Sequence, residues 1–353
     1  MSNYGDDLFC EVWLARGDVL LPGLDIHIVG HNPRIGARVF SSNTRVGSIW
    51  RAAMGINAVL RAHIIVLGGG SVLSDISGVR RLQWRFSKCT RTAFQSLGVS
   101  VGPFTTEEHR NTVSAFLNDN ERVVVRDKTS VDSGLTMDLP QEIGMGGDLA
   151  ALHPRAGIRH RVSDGVKSDR RVVGLALCRT VGFGNEATDR LVRALAIALD
   201  STRTMGITDH ITVISLNGHS LHGDEEISTR AVNLLLQLGL NVNLVRYGDL
   251  GVVSTWTLLA SFDAVVAVRL HGAISAYLAY VPFVLVEYHQ KCTDFSIDIG
   301  QDPKLVLDST RNQEQMERSI TTLLTDAPSP LLAPLDYILR AERAYLPSMK
   351  MGE

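Results

Sequence analysis

Short apolar runs alternate with longer amphipathic stretches along most of this chain. Runs rich in Val, Ile and Leu read as strands buried on both faces of a parallel sheet. In the first half these are IHIV (26–29), IIVL (64–67), VSV (99–101) and VVV (123–125). Helices are predicted near 48–61, 79–97 and 106–118. In the second half the runs are VVGLAL (172–177), ITVISL (211–216), NLV (243–245), AVVAV (264–268), FVLVEY (283–288) and LVL (305–307). Helices are predicted near 186–204, 225–238 and 255–261. In the first of these, Leu191, Leu195 and Leu199 share one face.

Two series of strand–helix repeats predict an α/β protein with two Rossmann-like domains built on parallel sheets. The expected division is an N-terminal domain over 1–154, a linker over 155–171, and a C-terminal domain over 172–330. Residues 331–353 follow, with a last helix near 335–345 packing back toward the N-terminal domain. The linker RAGIRHRVSDGVKSDRR carries five Arg and few large apolar residues, so it reads as solvated. The prolines of DAPSPLLAP (326–334) break the chain before the last helix.

Composition changes this picture little. The chain has 353 residues, 45% hydrophobic and 20% charged, which fits sizeable cores and excludes a disordered chain. With 35 basic and 37 acidic residues the net charge is −2, so a general nucleic-acid coat is excluded. Cys10, Cys89, Cys178 and Cys292 lie far apart without a C-x-x-C pair. No thiolate zinc site is expected, and a reducing compartment fits. No apolar run approaches the ~18–20 residues of a membrane span. The first residues, MSNYGDDLF, are polar and acidic rather than signal-like. A cytoplasmic protein is expected.

Candidate chemistry follows from position. In open parallel sheets, ligands bind beyond the carboxyl ends of the strands. In the second half the strand ends carry Cys178-Arg179-Thr180, Asn217-Gly218-His219, Arg269-Leu270-His271-Gly272 and His289-Gln290-Lys291. Four cationic or proton-transferring strand ends on one sheet edge point to an anion-binding cleft. Arg269-Leu270-His271 is the sharpest signal. Arg offers a planar fork for carboxylate or phosphate, and His can move a proton near neutral pH. Gly272 allows close backbone approach at a helix N-terminus. The competing reading is an Arg held by a buried carboxylate and a His capping the helix.

Other signals are weaker. Leu67-Gly68-Gly69-Gly70-Ser71 could turn backbone N–H groups toward a ligand, or could be a tight strand–helix turn. Asn3-Tyr4-Gly5-Asp6-Asp7 reads as a helix cap, and Asp127 as the cap of a helix beginning at Lys128. His219, His222, Asp224, Glu225 and Glu226 cluster in one loop, yet no second cluster completes a coordination set, so no metal is assigned. The basic stretch VRRLQWRFSKCTR (79–91) is a solvated helix face, or a face that meets the inner membrane surface or a lipid diphosphate carrier.

The run DAVVAVRLHGAISAYLAYVPFVLVEYHQKCTDFSIDIG (263–300) resembles the polysaccharide pyruvyl transferase family. The matching positions are Arg269-Leu270-His271, Val281-Pro282, Lys291, Phe295 and Gly300. Further landmarks follow in that family's order: Asn3-Tyr4-Gly5-Asp6-Asp7, Gly68-Gly69-Gly70, Gly102-Pro103-Phe104, Arg126-Asp127 with Ser130, Asp148, and Arg179. The resemblance spans nearly the whole chain.

It implies a glycosyltransferase-B-like pair of Rossmann-type domains facing each other across a cleft. It also implies transfer of the carbon skeleton of phosphoenolpyruvate onto two hydroxyls of a sugar, forming a pyruvate ketal in exopolysaccharide biosynthesis. Phosphoenolpyruvate would be a co-substrate, with no cofactor or metal. By this resemblance Arg179, Arg269, His271, Gly272 and Lys291 hold the donor, and His271, Arg269 and Arg179 are catalytic. Asn3, Asp6, Gly69, Gly70, Arg126 and His219 fall on the acceptor side, with Asp6, Asp127 or His219 as candidate base. The partner would be a glycan or a lipid-linked saccharide. The alternative on the same fold is a nucleotide-sugar glycosyltransferase, for which Glu287 could hold a ribose.

Overall fold

The structure, a computed structural model, describes residues 3–28, 53, 55–90, 92–137, 139–140, 142–159, 171–179, 185–219, 223–308 and 312–346. Most of the expected linker, residues 48–52 and 54 of the expected helix over 48–61, and His222 lie outside the described residues, while 55–61 are helical. The chain forms two compact units. One combines the residues up to Leu8 with Arg155–Ile338, and the other combines Phe9–Pro154 with the residues from Leu339 onward.

This division differs from the expected one at the N-terminal end. The N-terminal segment groups with the later unit because backbone and side chains tie it there. Tyr4 donates its N–H to the Leu216 carbonyl at 2.9 Å, and Asn3 forms an isolated antiparallel bridge with Asn217. At the other end the unit boundary falls within the helix Pro334–Tyr345. Arg122 donates to the carbonyls of Ala344 and Tyr345, and the Tyr345 hydroxyl donates to the Gly147 carbonyl.

The unit containing Phe9–Pro154 holds a four-stranded parallel sheet in the order β1-β2-β3-β4. Its strands are β1 (Ile64–Leu73), β2 (Ala93–Val101), β3 (Asn120–Val125) and β4 (Ile143–Met145). Residues 26–28 of the expected strand IHIV have no regular structure. The helix expected over 79–97 stops at Thr90, and the chain enters β2 at Ala93. Burial of Phe94, Leu97 and Val99 outweighs any helical preference there. Phe94 stacks edge-on against Phe116, which itself meets Trp84 edge-on.

The glycine run does not form a loop. Gly68, Gly69 and Gly70 lie inside β1 and stay within the β1–β2 pairing. A Cβ on Gly68 would lie 2.1 Å from Nε1 of Trp13, and one on Gly69 would lie 2.8 Å from the Phe9 ring. Gly69 also has φ +94°, where L side chains are strained. These glycines let the aromatic side chains of Tyr4–Leu20 seat directly on the strand.

The other unit holds a six-stranded, all-parallel sheet. In chain order its strands are β5 (Arg171–Leu177), β6 (Thr208–Ser215), β7 (Asn241–Arg246), β8 (Ala264–Ala267), β9 (Phe283–Glu287) and β10 (Val306–Asp308). Their spatial order is β10-β9-β8-β5-β6-β7, which is the doubly wound Rossmann order. The winding reverses between β5 and β8, so the crevice opens beyond the ends of those two strands. Leu191, Leu195 and Leu199 of the helix Asn185–Thr204 pack on Val173, Leu175 and Leu177 of β5 in one core.

Gly69→Val should lower the unfolding temperature, because it adds both a clash with Phe9 and backbone strain of about 1–3 kcal/mol. Gly23→Val has open space around its Cβ site and should cost less. Thermal denaturation of the two variants side by side checks the order.

Candidate active site at the sheet's switch point

The polar groups beyond β5, β6 and β8 meet around one buried carboxylate. Asp224 is fully buried at the start of the helix Glu225–Gln237. Arg269 follows β8 and aims its guanidinium at that carboxylate, with Nε donating to Oδ2 at 2.9 Å and Nη2 donating to Oδ1. The same carboxylate accepts backbone N–H groups of Arg179, after β5, and Asn217, after β6. One Asp side chain therefore joins three strand ends. Burial pushes the Asp224 carboxyl up, against the opposing pull of Arg269 and the two backbone donors. Burial alone would lower the Arg269 pKa, but the fork to Asp224 holds that guanidinium above its usual range.

The loop carrying Asp224 is shaped for this contact. Its backbone N–H donates to the Asn217 carbonyl at 2.8 Å, and the Asn217 side chain accepts from the His219 N–H at 3.1 Å. The acids that sequence grouped as metal-like point elsewhere. Glu225 pairs with Arg246 at 2.7 Å and Glu226 pairs with Arg230. Among the described residues no group of three or more His, Cys, Asp and Glu is placed to hold a metal.

His271 lies in the first turn of the helix Leu270–Leu278, whose N-terminus opens beyond β8. The N–H groups of Val268 and Arg269 both donate to the Ala176 carbonyl, at 2.8 and 3.1 Å, which fixes the turn against β5. Gly272 is buried, and a Cβ there would sit 2.9 Å from that of Ala176. The N-terminal segment covers the histidine. A Cβ on Gly5 would lie only 2.1 Å from Nδ1 of His271, so the imidazole rests directly on glycine backbone. Tyr4 shares a 2.9 Å hydrogen bond with Ser275 of the same helix. Asp7 accepts from the buried Tyr247 hydroxyl at 2.7 Å.

Beyond β9, Tyr288 lies close enough to Arg269 and Cys178 to couple electrostatically with both. Burial pushes the Tyr288 phenol well above its ordinary range. Lys291 holds its ammonium 5.3 Å from the Tyr288 ring centroid. His289 caps the helix Gln290–Ile299 by accepting from the Lys291 N–H.

The sequence-predicted residues thus separate into groups. Arg269, His271 and Gly272 share the β8 end, and Arg179 is joined to Arg269 through Asp224. Lys291 reaches the same neighbourhood through Tyr288. Asn3 and Asp6, expected on the acceptor side of the first domain, belong to the unit that carries His271. There Asn3 donates to Asp6 at 3.0 Å. His219 is exposed beyond β6 in that unit.

Gly69, Gly70 and Arg126 belong to the other unit. The two glycines serve strand packing. Arg126 is buried, with Asp127 at 3.4 Å, Asp148 at 3.5 Å and the Ser71 hydroxyl at 2.9 Å. Asp127 accepts from the Ser130 N–H at 2.8 Å as a helix cap.

The competing sequence reading of Arg269, held by a buried carboxylate, is what the structure shows; the sequence did not single out Asp224 as that carboxylate, nor Tyr4, Ser275 and Tyr288. A buried Asp opposite a strand-end Arg was the available signal. The charge-rich loop around it obscured the match.

A family model described as polysaccharide pyruvyl transferase matches residues 3–290. The chain belongs to the polysaccharide pyruvyl transferase family. No curated protein matches it. Solved structures share its glycosyltransferase-B fold at low identity. The UDP-GlcNAc 2-epimerase of Neisseria meningitidis, bound to UDP-GlcNAc, is 9% identical with a TM-score of 0.59, over 95% of this chain and 91% of that one. Anabaena HepE, in complex with UDP and glucose, is 12% identical with a TM-score of 0.59, over 97% and 92%. A glycosyltransferase from Rickettsia africae is 10% identical with a TM-score of 0.55, over 96% and 89%. No helix among the described residues is long and apolar enough to cross a membrane.

Two predictions follow from the buried groups of this family member. Asp224→Ala would strand the buried Arg269 charge and should destabilise the protein by roughly 3–5 kcal/mol, read as a lower unfolding midpoint. Cys178 is buried beside Arg269, and burial pushes its thiol up to about 12. The raised value favours the neutral thiol, so at pH 8 only on the order of one in ten thousand is thiolate. A thiol-reactive maleimide at pH 8 should label exposed Cys89 and leave Cys178 unlabelled in the native protein, as peptide mass mapping would show.

Proposed function

We propose that this chain moves the pyruvate skeleton of phosphoenolpyruvate onto two hydroxyls of a sugar, in a polysaccharide or its precursor. The product is a cyclic ketal, and inorganic phosphate leaves. Beyond family membership, one observation carries the reading. A guanidinium is fixed by a buried carboxylate two residues before a histidine, at the switch point of a doubly wound sheet.

The donor presents a carboxylate and a phosphate on a three-carbon frame. Asp224 takes two of the five N–H groups of Arg269, leaving three on a fork of fixed direction. Asp224 also cancels the formal charge of Arg269, so that pair supplies orientation rather than net charge. The charge needed by a polyanionic donor then falls to Arg179 and Lys291, with the N-terminus of Leu270–Leu278 adding favourable potential.

In the reaction, His271 delivers a proton to the donor's methylene carbon. The central carbon becomes oxocarbenium-like and is attacked by the first sugar hydroxyl. The second hydroxyl then displaces phosphate. Of the two hydroxyl protons, one is recovered in the new methyl group through His271 and the other leaves with phosphate. Nε2 of His271 is shielded from water, which suits protonation of carbon over exchange with solvent. No cofactor is invoked.

The alternative reading, a nucleotide-sugar glycosyltransferase, predicts release of a nucleotide instead. The fold neighbours are too distant in sequence to favour it.

Arg179→Ala and Lys291→Ala should each raise KM for phosphoenolpyruvate by about tenfold or more, since charge-assisted bonds are worth ~1.5–3 kcal/mol. His271→Gln should lower kcat by about 10²–10⁴-fold with KM little changed. Gly5→Ala adds a Cβ where Nδ1 of His271 sits, so it should also lower kcat, yet cause no further loss on a His271→Gln background. Phosphate-release kinetics with phosphoenolpyruvate and a diol sugar measure all four. Near-normal turnover in His271→Gln would remove its proposed role.

A further inference from the structure

The helix Gly78–Thr90, in the unit containing Phe9–Pro154, has a distribution that the reaction does not use. Its thirteen residues, GVRRLQWRFSKCT, include four cations and no acid, in a chain whose net charge is −2. Its inward face carries Trp84 and Ser87, with Arg80 donating to the Val72 carbonyl at 2.5 Å. The large apolar side chains that would ordinarily turn inward do not all do so. Leu82 is 39% exposed and Phe86 is 41% exposed, one helical turn apart on the outward side. Arg81, Arg85 and Lys88 form the adjacent stripe, at i, i+4 and i+7.

The cationic stripe borders a surface groove of about 740 Å³. Arg81, Arg85 and Lys88 line it together with Trp84, and Glu108 and Thr112 of the helix Glu107–Asn118 line the opposite wall. Lys88 spends part of its charge on Asp119, at 2.8 Å, while lying 4.9 Å from the Trp84 ring centroid. Arg81 and Arg85 are exposed and make no ion pair among the described residues. An outward pair of large apolar side chains beside exposed arginines is the pattern of a helix lying in a bilayer interface. There the apolar groups enter the acyl boundary and the cations meet anionic headgroups.

We propose that this face docks the protein on a lipid bilayer bearing anionic headgroups. Arg81 and Arg85 supply the electrostatic attraction, the groove between the two helices receives headgroup phosphate, and Leu82 and Phe86 insert. Charge complementarity selects this occupant. A protein partner matched to the same face would need an acidic rim, and a soluble anion would leave Leu82 and Phe86 without a role. The proposal is independent of the reaction assigned above.

Co-sedimentation of the full chain with vesicles tests it, using phosphatidylcholine alone against phosphatidylcholine with phosphatidylglycerol. The wild type should bind the anionic vesicles, bind neutral vesicles at least tenfold more weakly, and release as salt rises. Arg81→Glu with Arg85→Glu should cut binding to anionic vesicles tenfold or more. Leu82→Ser with Phe86→Ser should cut it severalfold and leave the salt dependence in place. Circular dichroism melts establish that both variants fold, and the double Arg81→Gln, Arg85→Gln variant replaces the charge reversal should that one fail to fold. No binding to anionic vesicles at low salt would overturn the proposal. Equal binding by the arginine variants would do the same. So would binding of inorganic pyrophosphate that the arginine variants lose while no form of the protein sediments with vesicles.

Discussion

The arrangement of the unit that carries Arg269 and His271 depends on the buried pair between Asp224 and Arg269. A carboxylate enclosed in protein without partners would be neutralised or expelled, so its burial requires donors. Arg269 supplies two, and the backbones of Arg179 and Asn217 supply two more. Those donors come from the ends of β8, β5 and β6. Satisfying one charge therefore fixes three loops at the place where a doubly wound sheet reverses. A pair of this kind adds little net stability compared with apolar packing, and breaking it by removing one partner is expensive. Here it specifies geometry.

From that hub the rest of the site follows. With Arg269 fixed, the short turn to His271 is fixed too, because the N–H groups of Val268 and Arg269 share the Ala176 carbonyl. The helix carrying His271 is held by Tyr4 through Ser275, and Gly5 gives the imidazole its resting place. The N-terminal Asn-x-Gly-Asp segment thus acts within the same unit as Arg-Leu-His. In this family member the two landmarks lie far apart in the sequence and form one local structure.

Much of this was legible in the sequence. Apolar runs mark the strands, and nine of the ten runs fall on observed strands. The doubly wound order makes the residues after each run converge, which is why listing strand ends located Arg179, His219, Arg269 and Lys291. What stayed hidden has physical causes. Gly68–Gly70 read as a ligand-facing loop or a tight turn because sequence does not show that Trp13 and Phe9 need the space. Arg126 looked like a ligand because its carboxylate partners, Asp127 and Asp148, lie one residue and more than twenty residues away. β4 is only three residues, Ile143–Met145, too short to show a period. Residues 26–28 are apolar in pattern yet find no neighbouring strand.

The most direct test of the account is calorimetric titration of the full chain with phosphoenolpyruvate and, separately, with UDP, repeated on Arg269→Ala. The account predicts saturable binding of phosphoenolpyruvate that is lost in the variant, and no comparable binding of UDP. Tight binding of UDP with none of phosphoenolpyruvate would contradict it.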